Sequence, residues 1–212
     1  MTWYEWIALG AAGISLGVSL FYLFRLIKLG NPRDYAPAAG SVAPAVRYAL
    51  TGAMNPAKKE SAYLHLQTYI AGILYHLGTF LSIPLFLLIW FHIPISGVMV
   101  FILSCFLSVT AVCGIGILVK RAMKMELREL SNPDDYLSNI LVTLFQVGTL
   151  LSLSIPALIP AYFIQASILF LYIPLSKLKH VIYFFAARYH LGFFFGRRGV
   201  WPPGRGYKGK RV

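Results

Sequence analysis

Four of the chain's five histidines fall in two apolar stretches, His65 and His76 in one, His180 and His190 in the other. Imidazole binds metals and exchanges protons near neutral pH, and ionisable side chains within a membrane span are functional candidates by default. On an α-helix the 11-residue gap is about three turns, so His65 and His76 share a face about 16 Å apart along the axis. The 10-residue gap on the other stretch gives about 15 Å, with a rotation that Pro174 or late unwinding partly absorbs. On helices running in opposite directions, His65 lies level with His190 and His76 with His180.

Matched pairs at two depths point to haem. Iron takes axial ligands on opposite ring faces, so a haem between two helices takes one imidazole from each, and two imidazoles leave no open position, which suits electron transfer. The chain has no Cys-x-x-Cys-His motif, so the haems would be held non-covalently, as b-type. Zinc prefers four tetrahedral ligands, and a His pair without nearby Cys or carboxylate leaves it under-coordinated. The bland alternative is that each histidine is a polar group satisfied by a neighbour.

Several residues accompany the histidines. Gly72 and Gly78 flank His76 and would let a macrocycle approach; ordinary helix packing is the other reading. Lys177, three residues before His180, needs a counter-charge if buried, which a haem propionate would supply; snorkelling to the interface is the alternative. Lys179 is placed for a second propionate or lipid, and Arg188 and Lys58–Lys59 for the inner haem or for the interface. His92 stands apart, either taking protons from a quinol or as an interfacial residue without redox role. Cys105 and Cys113 read as small apolar side chains.

The elements that must position these residues follow from composition. Of 212 residues 58% are hydrophobic and 12% charged, against about 45–50% and about 25% in soluble chains, so too little polar surface exists to coat a globule. A span needs about 20 apolar residues. Five segments qualify: about Trp6–Phe24, Tyr63–Phe91, Pro94–Val119, Leu137–Ile155 and Ala161–Phe185, the last extending toward His190, with Pro156 and Pro160 marking the turn between the final two. The first lacks a basic n-region and reads as an anchor rather than a signal peptide. The expected fold is all-α, a bundle of five transmembrane helices over residues 1–195, followed by a basic tail over 196–212.

Charge sets direction. The chain has 19 Lys+Arg against 7 Asp+Glu, a net +12. The 1–2 connection, the 3–4 connection and the tail carry 16 of the 19, while the N-terminus and the 2–3 and 4–5 turns carry none. The positive-inside rule puts the N-terminus outside and the tail in the cytoplasm. This accounts for most of the excess without nucleic acid. The tail itself suits contact with anionic lipid or docking of a cytoplasmic subunit.

The run Pro174-Leu-Ser-Lys-Leu-Lys-His180 resembles the Pro-Phe-Ser-Arg-Leu-x-His segment of the gamma-subunit (NarI-like) membrane cytochromes b of respiratory nitrate reductase. Tyr63-Leu-His65 and Tyr75-His76-Leu-Gly78 are similar to that family's other ligand helix. The wider group includes the membrane subunits of heterodisulfide reductase and of the Dsr, Hmc and Tmc complexes of sulfate reducers, and the short chain is nearest in type to Hmc and Dsr. The resemblance implies two b haems, His65 with His190 holding the inner and His76 with His180 the outer. It implies electron transfer in a prokaryotic inner membrane between menaquinol or a periplasmic multihaem cytochrome c and a cytoplasmic iron–sulfur subunit, alongside other membrane subunits. The terminal enzyme chemistry would then lie in the partners. Two departures stand out: the spacing on the fifth span is shorter than in the nitrate reductase subunit, and the 2–3 connection lacks the lysine associated there with the quinol site. A haem-free membrane anchor and a proton-coupled transporter are the competing functions.

Overall fold

The computed structural model describes residues 1–30, 35–55 and 64–204. The basic residues Arg33, Lys58, Lys59, Arg205, Lys208, Lys210 and Arg211 lie outside the described residues. The described chain is all-helical: α1 (Trp3–Leu29), α2 (Val42–Leu50), α3 (Leu66–Trp90), α4 (Gly97–Met123), the short α5 (Met125–Glu129), α6 (Pro133–Ser152), α7 (Ile159–Tyr172) and α8 (His180–Arg197), with single 3-10 turns at Gly52–Met54, Pro156–Leu158 and Lys177–Lys179. Two compact units result. The first comprises Met1–Leu16 with Leu64–Leu178, the second Gly17–Tyr63 with Lys179–Val212.

In the first unit α3 packs on α4 and α6, α4 on α6, and α6 on α7. An aromatic cluster fills its centre: Phe86 meets Phe145, Tyr162, Phe163 and Phe170 at ring-centroid distances of 5.0–6.1 Å, and Tyr4 of α1 contacts Phe163 edge-on. Beside this cluster the interior is polar. Gln146 accepts from the Thr110 hydroxyl (2.9 Å) and donates to the Tyr75 carbonyl (2.9 Å) and to Thr79 Oγ1 (2.8 Å). Tyr75 donates to the Asn139 carbonyl, and Thr149 pairs with the Tyr162 hydroxyl. Every one of Ser138, Thr143, Gln146, Thr149 and Ser152 on α6 is buried, while Leu137, Ile140, Leu144 and Leu151 are exposed. A helix that buries these polar side chains while exposing large apolar ones is arranged for apolar surroundings, where interhelical hydrogen bonds hold helices together.

Three helices are long and apolar enough to cross a bilayer, α1, α3 and α4; a fourth is obtained if α7 and α8 together count as one interrupted span. The fourth expected segment, over α6, falls outside this set because its polar residues lower its hydropathy. The start of α6 follows local chemistry. Asn132 caps the helix by accepting from the Asp135 N–H (3.1 Å) while Asp135 Oδ2 accepts from the Asn132 N–H (3.0 Å), with Pro133 at the first helical position.

The last span is not the continuous helix expected over Ala161–Phe185. Helix α7 ends at Tyr172, residues 173–176 form a turn, and α8 begins at His180. Pro174 lacks the N–H that would continue the ladder and its ring crowds the carbonyl four residues back. Asp134 holds the break, accepting from the Tyr172 hydroxyl and from the Lys177 N–H (2.7 Å).

In the second unit α2 packs along α8, giving regular structure to part of what the sequence presents as a polar connection. Gly192 and Gly196, one helical turn apart, form the contact. A methyl group at Gly192 would stand 2.5 Å from Val46 Cα, and one at Gly196 2.5 Å from Ala45 Cβ. Helix α8 runs to Arg197, past the expected boundary at residue 195, and Trp201 packs on Tyr48 and Phe195.

Candidate functional site

His76 sits in the middle of α3 and is exposed, 11 residues after His65, the exposed residue at the helix start. His76 Nδ1 lies 2.6 Å from the Gly72 carbonyl. This hydrogen bond places the proton on Nδ1 and the lone pair on Nε2, the tautomer and ring orientation that a second-shell carbonyl gives a metal-ligating imidazole. A Cβ at Gly72 would meet nothing within 4 Å, so position 72 itself has room. The sequence treats Gly72 and Gly78 alike; the structure separates them. Gly78 is buried, and a methyl group there would overlap the Thr110 hydroxyl and crowd Gln146 Oε1 at 2.8 Å. Gly78 therefore serves helix packing.

On α8, His180 is the exposed first residue and His190 is half-buried. His190 Nε2 lies 3.1 Å from the Leu26 carbonyl, and its ring fills the space where a side chain at Gly30 would be. This is a histidine satisfied by backbone, and iron ligation through Nε2 requires that this hydrogen bond be given up. Arg188 stands 5.7 Å over the Phe184 ring.

Lys177 is placed at the break rather than deep within a helix, half-exposed, with its Nζ 2.7 Å from Asp135 Oδ2. The counter-charge expected from a propionate is supplied here by a carboxylate of the chain. Arg121 joins the same group at 3.3 Å from Asp135 Oδ1. The Lys177 hydrogen bond is the main influence holding the Asp135 carboxyl below the ordinary range, working against a smaller upward push from burial. For Asp134 burial pushes upward most strongly, and the hydrogen bonds from Tyr172, the Lys177 N–H and Ser138 together outweigh it, leaving that carboxyl lowered too. Asn132-Pro133-Asp134-Asp135 is a capping signature readable in sequence; its link to Lys177, 42 residues on, is not.

His92 ends α3 in the left-handed region (φ 52°). Its N–H donates to the Ile89 carbonyl and that of Ile93 to Leu88, the double closure of a Schellman motif. Its Nε2 lies 3.1 Å from Oε1 of the buried Glu5, while Glu5 Oε2 accepts from the Thr2 N–H at 2.6 Å. Nothing in the spacing of residues 5 and 92 announces this pair. Among the described residues no three His, Cys, Asp or Glu side chains converge as a metal site. Cys105 and Cys113 are free thiols, exposed and half-buried.

Fold and site define an all-helical protein with several helices of membrane-spanning length and apolarity. No known protein family, curated protein or solved structure matches the chain.

Proposed function

We propose that the chain is a membrane cytochrome b subunit of a respiratory redox complex in a prokaryotic inner membrane, similar in role to the NarI-like cytochromes. Two b haems, with His65, His76, His180 and His190 as their axial ligands, would carry electrons between menaquinol or a periplasmic multihaem cytochrome c and a cytoplasmic iron–sulfur subunit. The single observation that carries this reading is His76: an imidazole on an apolar helix, its Nδ1 tied to the Gly72 carbonyl and its surroundings open at Gly72. Bound haem would supply one-electron redox chemistry at fixed depth, and two depths divide a hydrocarbon barrier of about 30 Å into shorter hops. The chain's own contribution is to orient imidazoles and to surround the group with low-polarity packing. The five-span arrangement belongs to the same proposal. It is supported by α6, whose buried polar face and exposed leucines suit a lipid-surrounded helix despite its modest hydropathy.

The competing reading is a haem-free membrane anchor. It is favoured by two particulars: His190 is satisfied by the Leu26 carbonyl and Lys177 by Asp135. Reduced-minus-oxidised spectra of the purified chain separate the two. The cytochrome reading expects a b-type α band on dithionite reduction, loss of the same haem in His76→Ala and His180→Ala, and loss of the other in His65→Ala. A spectrum without an α band or Soret shift supports the anchor.

A further inference from the structure

A cleft of about 540 Å³ opens where the connection after α5 enters α6, with Arg128 and Asn132 at its polar end and Tyr136, Leu137 and Ile140 along its floor. Arg128 is exposed, and its guanidinium makes no hydrogen bond or ion pair among the described residues. The nearby acidic groups are otherwise engaged or on the far side of the connection. Asp134 and Asp135 are held by Tyr172, Lys177 and Arg121, while Glu126 and Glu129 lie on α5 and do not line the cleft. The apolar floor does not stop at the cleft. Leu137, Ile140, Leu144 and Leu151 are all exposed, and at offsets of three, seven and fourteen residues they fall within one narrow sector of α6. That stripe extends about 21 Å along the helix, more than the roughly 15 Å depth of one leaflet's hydrocarbon.

We propose that this cleft is a binding site for an anionic phospholipid, its headgroup phosphate paired with Arg128 and an acyl chain lying along the Leu137–Ile140–Leu144 stripe. A cation at the polar end and a continuous apolar track leading from it are complementary to an amphiphile with a charged head. Guanidinium matches phosphate with paired donors, and the cytoplasmic leaflet, where the charge distribution puts this connection, carries the anionic lipids. The inference does not depend on haem binding.

Native mass spectrometry of the full chain released from nanodiscs tests it, using phosphatidylglycerol against phosphatidylcholine at equal mole fraction. The expected result is selective retention of one phosphatidylglycerol, weakened roughly fivefold in Arg128→Gln, as the loss of one cation near the surface predicts. Arg128→Lys should recover part of that loss, and Lys124→Gln, which alters a neighbouring cation outside the cleft, should leave retention unchanged. Circular dichroism of each variant verifies the helical fold. Equal retention of the two lipids overturns the proposal, as does an unchanged Arg128→Gln. An equal loss in Lys124→Gln would show diffuse surface charge instead, and displacement of the lipid by millimolar inorganic phosphate would show a simple anion site.

Discussion

At the scale of single residues, two glycines six positions apart on α3 do opposite jobs. Gly72 faces open space beside His76, and Gly78 is clasped by Thr110 and Gln146. Gly72→Leu is therefore expected to leave the fold intact, even adding about 0.5–1 kcal/mol from helix propensity, while removing the absorbance of one of the two haems by filling the approach to His76. Gly78→Ala is expected to lower stability by about 1–3 kcal/mol through overpacking. Thermal unfolding and the reduced spectrum, measured on both variants, distinguish the roles; a Gly72→Leu protein that retains a full spectrum removes Gly72 from the site. Sequence supplies the candidates at this scale, because His, Gly and Lys are visible as types. It does not supply their partners. Lys177 with Asp135, His190 with the Leu26 carbonyl and Glu5 with His92 are contacts across 42, 164 and 87 positions, and no local periodicity encodes them.

At the scale of elements, α1, α3 and α4 coincide closely with the apolar runs that announce them, since about 20 uninterrupted apolar residues leave the backbone little but a helix. The last span does not, because Pro174 breaks it and Asp134 and Asp135 at the start of α6 hold the break from outside. The pH dependence of that junction follows. The Asp135 carboxyl is lowered from 3.8, chiefly by Lys177. Its stabilisation is thus fully present above the ordinary Asp value and is lost as pH falls through the lower folded-state value. Asp135→Asn should cost about 1 kcal/mol at neutral pH, as a half-exposed pair and part of a helix cap do, and should flatten the decline in melting temperature below about pH 4. A decline as steep as wild type assigns the acid sensitivity elsewhere. Helix α2 eludes the sequence for a different reason. Nine residues with Pro44 inside have weak intrinsic helicity, and the element exists against Gly192 and Gly196 of α8. Gly192→Leu, driven against Val46 Cα, should destabilise that packing by about 1–3 kcal/mol, read as lost protection of the α2 amides in hydrogen exchange; retained protection would show that α2 folds without this contact.

At the scale of the whole molecule, composition establishes the class and charge placement proposes the direction. The positive-inside rule reads most of the +12 excess as an orientation signal, with 16 of the 19 cations on one inferred side. Cysteine-accessibility mapping in sealed vesicles should label a residue near Met1 from outside and one after Trp201 only from inside. Labelling of both from the same side refutes the odd number of spans. The polar interior around Gln146 was not foreseeable from hydropathy, which scores α6 as a poorer span for the very residues that bind it to α3 and α4. Haem stoichiometry decides whether the chain is a cytochrome. The full chain, expressed with adequate haem supply, purified in mild detergent and assayed as the pyridine haemochrome, should contain two b haems per polypeptide; a preparation that is folded by circular dichroism yet contains none would contradict the account.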